Sequence, residues 1–177
     1  MGRDKAFVEY RGQTLLDRAL AVVGGVCDHV VIAGDPVVFA KYGSAVADVF
    51  PGCGPLAGIH AALLASQSEL NLMLAVDMPF VSGELLGFLF AAAEKCDAVV
   101  TVPRTGRGLQ PLCAVYRRAF SVAAEQALRT GKYKIDATFA GLSVRVIEEN
   151  ELAAAGFSEQ TFFNVNTPQD RLGAGDQ

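Results

Sequence analysis

Apolar and polar positions along this chain repeat with two periods, and the two alternate. Leu15, Leu16, Ala19, Leu20 and Val23 recur at helical spacing, which predicts an amphipathic helix with its apolar stripe toward a core. Thr14 and Asp17 form a capping box at its start, and Gly24-Gly25 ends it. His29 to Ala33 is short and β-rich, closed by the turn signal Gly34-Asp35-Pro36. A brief helix around Val38 to Lys41 precedes a candidate strand, Ala45 to Ala47, that ends at Asp48. Pro55 suits the first position of a helix running to about Ser66. Leu72 to Val76 is continuously apolar, as a strand covered on both faces should be. Ser82 caps a helix from Glu84 to about Glu94.

The second half continues the pattern. Ala98 to Val102 and Leu112 to Tyr116 read as strands on either side of a mobile-looking loop, Thr105 to Gly108. A helix from about Phe120 to Thr130 follows, and a second short helix comes after Lys132-Tyr133-Lys134. Ser143 to Ile147 is a late strand, Asn164 to Asn166 closes the pattern, and Pro168 starts a terminal helical turn. The tail from about Leu172 is expected to fray. Strands alternating with helices predict an α/β class and a mostly parallel sheet with helices on both faces. We expect a single domain over residues 1–177.

Composition narrows the function classes. The chain is 51% hydrophobic and 19% charged, which is incompatible with disorder. A net charge of −4 offers no basic footprint for nucleic acid. The run from Leu85 to Ala93, bounded by Glu84 and Glu94, is half a membrane span and reads as a buried helix. No secretory n-region opens the chain, so a cytoplasmic setting is expected. Cysteines 27, 53, 96 and 113 lack ligand spacing and read as small hydrophobes rather than a metal or disulfide framework. His29 and His60 read as structural.

The candidate chemistry is that of a nucleotide phosphate. Asp77 follows an apolar strand, and Pro79 turns the chain there. Carboxyl ends of strands line the ligand crevice in open α/β sheets, so Asp77 is placed at the end of a central strand, open to a cleft with Lys5 and Asp48. A carboxylate there suits Mg²⁺, which takes one or two carboxylates plus substrate phosphates; a turn cap is the alternative. Lys5 would act as a compact charge on phosphate oxygens, or be an ordinary solvated lysine. Gly54-Pro55-Leu56-Ala57-Gly58 joins a flexible turn to a helix N-terminus whose free N–H groups favour anions. Asp48, at a strand end, can accept from a guanine N–H edge or a ribose hydroxyl. Asn164 and Asn166 share one face of an extended segment, either as ligand-binding amides or as a helix cap. Gln110, Lys132 and Lys134 are weaker candidates.

In combination, Met1-Gly2-Arg3-Asp4-Lys5, Gly54 to Gly58, Asp77-Met78-Pro79, Gln110-Pro111 and Asn164-Val165-Asn166-Thr167-Pro168 resemble the molybdenum cofactor guanylyltransferases over nearly the whole chain. The resemblance implies a Rossmann-like nucleotidyltransferase fold and transfer of GMP from GTP to molybdopterin with release of pyrophosphate. It implies Lys5 at the triphosphate, Asp48 at the guanosine with the Gly54-Pro55 turn beside the nucleotide, and Asp77 at Mg²⁺ and the nucleotide. Lys5 and Asp77 would be the catalytic pair, with Gln110, Lys134, Asn164 and Asn166 toward molybdopterin. Molybdoenzyme apoproteins or their chaperones are the implied partners. The family carries an apolar strand and a Leu-Ala-Gly-Gly-x-Ser-x-Arg loop ahead of the Met-Gly-x-Asp-Lys string, and this sequence shows neither. Ala33 also stands where members often have asparagine. Met1 is then an internal methionine or the chain a fragment, and the sheet should show a gap beside the strand ending at Ala33. In that form GTP binding should be weak and turnover slow. The alternatives are a cytidylyl- or sugar-phosphate nucleotidyltransferase of the same superfamily, and a natural shortened paralogue that binds cofactor without catalysing.

Overall fold

A computed structural model describes residues 5–165. Asn166, Pro168 and the tail from Leu172 lie outside the described residues. Helices and strands alternate, and the helices cover both faces of a central sheet, as the sequence pattern requires.

The chain opens with a 3₁₀ turn, Lys5–Phe7, and a hairpin of β1 (Glu9–Tyr10) and β2 (Gln13–Thr14). Arg11 and Gly12 both take positive φ, 52° and 81°, the geometry a two-residue hairpin turn demands. Helix α1 (Leu15–Gly24) starts where Thr14 accepts from the Asp17 amide at 3.1 Å. Strand β3 (Ile32–Ala33) pairs in parallel with β4 (Ala45–Val46), joined by α2 (Pro36–Phe39). Helix α3 (Pro55–Ala65) has Pro55 in its first turn. Then come β5 (Leu70–Leu74), α4 (Gly83–Glu94, capped by Ser82), β6 (Val100–Thr105), β7 (Gly108–Leu109) and β8 (Cys113–Arg117). Helix α5 (Phe120–Arg129), β9 (Val144–Ile147) and α6 (Glu149–Ala154) complete the regular elements.

The main sheet contains the order β5-β8-β6-β9. It is mixed rather than mostly parallel: β8 runs antiparallel to both β5 and β6, and only β6–β9 is parallel. The correction has a local cause. Residues 105–108 form the tight turn of a β6–β7 hairpin, with Gly108 at φ 103°, so the chain reverses where the sequence suggested a loose loop. Arg107 fastens that turn through an ion pair to Glu159 at 3.4 Å and by stacking over Phe163 at 4.1 Å.

Two apolar clusters sandwich this sheet. On one side Leu56, Ile59 and Leu63 of α3 meet Val100, Val102 and Tyr116 with Phe120 and Ala124 of α5. On the other, Leu85, Leu86 and Leu89 of α4 meet Cys113, Val115, Ile147 and Leu152. The Leu85–Ala93 run is therefore core, and no helix among the described residues is long and apolar enough to cross a membrane.

Among the described residues, the β3–β4 pair is not hydrogen-bonded to the main sheet. Between β5 and the segment leading into β3 lies a cavity of about 750 Å³, lined by residues 28–31 on one side and 70–73 on the other. The gap expected beside the strand ending at Ala33 is there. Among the described residues β5 pairs with β8 alone and is half-buried at every position, where a central placement was expected for the strand preceding Asp77.

Candidate active site

Past β5, the chain runs through Ala75, whose amide still bonds Leu112 at 2.7 Å, and turns at Val76-Asp77. Three contacts hold that turn. Met78 and Val81 are buried beneath α4, the Arg18 guanidinium on α1 donates to the Pro79 carbonyl, and the Val165 amide donates to the Asp77 carbonyl at 2.9 Å. The Asp77 backbone is thus clamped from two directions. Its carboxylate sits with 14% of the side chain exposed, and Lys5 Nζ approaches Oδ2 at 3.4 Å. A clamped carboxylate beside a half-exposed ammonium is a preorganised place for phosphate and a hard cation.

Lys5 is brought there by its own short turn. Ala6 is buried, and Phe7 packs with Phe39 and Tyr42 at ring separations of 5.8 and 5.6 Å. Ala6, Leu16, Phe39, Ile32, Ala45 and Val76 share one cluster. Strands β3 and β4, the turn after β5 and the Lys5 segment therefore meet around a single apolar knot.

Asp48 follows β4 and faces α3. A Cβ at Gly58 would come within 3.3 Å of Ala33 Cβ and 3.8 Å of Asp48 Oδ1, so Gly58 lets the first turns of α3 lie close against β3 and this carboxylate. Burial raises the pKa of Asp48, because a partly desolvated carboxylate disfavours its charge. Gly54 at φ 73° supplies the left-handed kink that lets Pro55 begin α3. The Gly54-Pro55-Leu56-Ala57-Gly58 string thus shapes the wall beside Asp48.

The remaining candidates divide. Asn164 is exposed in the segment that Val165 ties to Asp77, so the structure brings it to the same turn. Gln110 donates from Nε2 to Thr105 Oγ1 at 3.1 Å and to the Gly108 carbonyl at 3.3 Å; its amide braces the β6–β7 hairpin. Lys134 is exposed and pairs with Asp136 at 3.4 Å. Asn166 lies outside the described residues. Arg18 and Val165, which position the Asp77 turn, were not singled out from sequence. Arg18 falls among the apolar stripe of α1, where a charged residue is itself a signal.

A family model described as MobA-like NTP transferase domain matches residues 1–161. The chain belongs to this nucleotidyltransferase family. It is 38% identical to a probable molybdenum cofactor guanylyltransferase of Pelotomaculum thermopropionicum over 98% of this chain and 85% of that protein. To the molybdenum cofactor guanylyltransferase of Desulfosudis oleivorans it is 34% identical, over 96% and 84%. The crystal structure of molybdopterin-guanine dinucleotide biosynthesis protein A from Archaeoglobus fulgidus superposes with a TM-score of 0.85 at 28% identity, covering 98% of this chain and 89% of that one. A 2-C-methyl-D-erythritol 4-phosphate cytidylyltransferase from Thermus thermophilus, 24% identical with a TM-score of 0.72 over 96% and 91% of the two chains, shares the fold.

Proposed function

We propose that this chain transfers GMP from GTP to molybdopterin in the cytoplasm, forming the guanine dinucleotide and pyrophosphate. The observation that carries the reading is the Lys5–Asp77 pair, 3.4 Å apart on a turn clamped beyond β5. The relatives' names support the substrate pair.

Asp77 is one carboxylate with oxygen donors only, and among the described residues no cluster of three His, Cys, Asp or Glu side chains surrounds it. That set is too small for an all-protein metal cage and fits Mg²⁺, whose shell is normally completed by phosphates and water. When bound, Mg²⁺ would neutralise charge on the triphosphate.

The protein's part is positioning and charge. A phosphate oxygen of molybdopterin forms the new bond to the α-phosphorus of GTP, and the bond from that phosphorus to the β-phosphate bridging oxygen breaks. Pyrophosphate leaves with that electron pair. Lys5 stabilises the negative charge gathering on the phosphate oxygens, and no covalent protein intermediate is needed. Asp48 accepts from the guanosine, and its partly dry position strengthens that bond. Gly54 and Pro55 shape the wall against which the nucleotide lies. Asn164 and Lys134, both exposed, serve the molybdopterin side, with molybdoenzyme apoproteins or their chaperones receiving the product.

The test is α-labelled GTP with molybdopterin and Mg²⁺ at stoichiometric protein, followed by separation of products. Label in a guanine dinucleotide with one pyrophosphate per product is expected. Transfer from CTP at a comparable yield would replace the reading with a cytidylyltransferase, and no transfer from either would leave a binding protein.

A further inference from the structure

One guanidinium joins two loops that lie far apart in sequence. The first loop is the tip of the β6–β7 hairpin, residues 105–108, and Arg107 stands on it. The second follows the 3₁₀ turn Glu159–Phe162 and runs through Phe163 and Asn164 to Val165. Arg107 Nε lies 3.4 Å from Glu159 Oε1, and its Cζ sits 4.1 Å from the centroid of the Phe163 ring. The side chain thus grips both ends of the 159–163 stretch, by charge at one end and by a cation–π contact at the other.

Each end of this link is fixed. On the hairpin, Thr105 is 5% exposed, and its hydroxyl accepts from the Arg107 amide at 3.2 Å and from Gln110 Nε2 at 3.1 Å. A Cβ on Gly106 would lie 3.5 Å from Glu159 Oε1, so the tip and that carboxylate are already in near contact. At the other end, Val165 is buried with Tyr10 and Leu15, and its amide donates to the Asp77 carbonyl at 2.9 Å. Phe163 is extended, with φ −74° and ψ 132°, and only Asn164 separates it from Val165. Two residues of extended chain leave little slack between the Phe163 ring and the Asp77 turn.

We propose that Arg107 is a positioning residue for Asp77: through Phe163 and Val165 it holds the Asp77 turn where its carboxylate meets Mg²⁺ and nucleotide phosphate. Only that last step, from carboxylate to metal, rests on the proposed function. Glu159 orients the guanidinium, Phe163 receives it, and Val165 passes the restraint to the Asp77 carbonyl. Arg107 is 63% exposed on its side chain, and both of its contacts are of a kind that is individually weak at a surface. Arg107 therefore adjusts the turn and contributes little to the fold.

The experiment compares the whole chain with Arg107→Ala, Phe163→Leu and the double variant. It reads the exchange rate of the Val165 amide and the Mg²⁺ concentration that half-saturates GTP binding. Arg107→Ala is expected to speed Val165 exchange about two- to fivefold and to raise the half-saturating Mg²⁺ by a similar factor. The double variant should be no worse than Phe163→Leu alone, because side chains acting in series are not additive. Should Phe163→Leu fail to fold, Glu159→Gln takes its place in the cycle. Additive losses, an unmoved Val165 amide, or a faster amide with an unchanged Mg²⁺ requirement would each overturn the proposal. A parent chain that binds GTP with no Mg²⁺ dependence would sink the proposed function instead, and the Val165 amide would still decide whether Arg107 holds the turn.

Discussion

Lys5 and Asp48 make opposite demands on stability, and that separates their roles. Lys5 is half exposed, so its pair with Asp77 contributes ~0.2–1 kcal/mol to folding. Lys5→Ala should therefore leave the melting temperature almost unchanged while lowering kcat on the order of 10²–10³-fold, the usual loss for one charge-stabilising donor. A drop in melting temperature with kcat intact would move Lys5 to a structural role. Asp48 has its pKa raised by burial. The folded state then holds the proton more tightly than the unfolded one, so at pH values above the folded pKa the ionised carboxylate costs stability. That cost disappears below the ordinary carboxylate value. Asp48→Asn should melt higher than the parent at neutral pH and bind GTP more weakly, a trade common at functional sites. Calorimetry and a GTP titration on one preparation test both halves.

Among the elements, α3 was legible in unusual detail, because Gly54, Pro55 and Ser66 mark its ends by backbone chemistry alone. Strands β3 and β5 were less so. Leu72 to Val76 is apolar throughout, but the pairing runs over Leu70–Leu74 because Val76 already belongs to the Asp77 turn. Apolar content reports burial, and the ladder's limits are set by the partner strand. Helix α6 and the β1–β2 hairpin were not anticipated; both are short, and their packing partners are distant in sequence. Helix α3 also carries His60, 1% exposed, with both ring nitrogens lacking partners among the described residues. Burial lowers its pKa from 6.5, with Glu125 opposing and Arg129 assisting. A base with a lowered folded pKa is neutral when folded and gains its proton on unfolding. Stability is then fully present above about pH 6.5 and falls as pH drops through the window below it. His60→Leu should flatten the decline below about pH 6.5 in urea melts. An unchanged slope would assign the acid sensitivity elsewhere.

At the scale of the molecule, the α/β class and the Lys5–Asp77 meeting were both legible, the latter through motifs 72 positions apart. The mixed sheet was not, because strand direction depends on the hairpin at 105–108, a turn of ordinary composition. Nor could sequence show that Gln110 is occupied in bracing that hairpin or that Arg18 and Val165 hold the Asp77 turn. Such roles depend on contacts between distant segments. The central claim is that this clamped turn is the place where metal and nucleotide meet. Isothermal titration of GTP, with and without Mg²⁺, into the parent chain and Asp77→Asn tests it most directly. The account predicts Mg²⁺-dependent binding in the parent and its loss in Asp77→Asn, with the two melting within ~0.5 kcal/mol of each other. Full Mg²⁺-dependent GTP affinity in Asp77→Asn would contradict it.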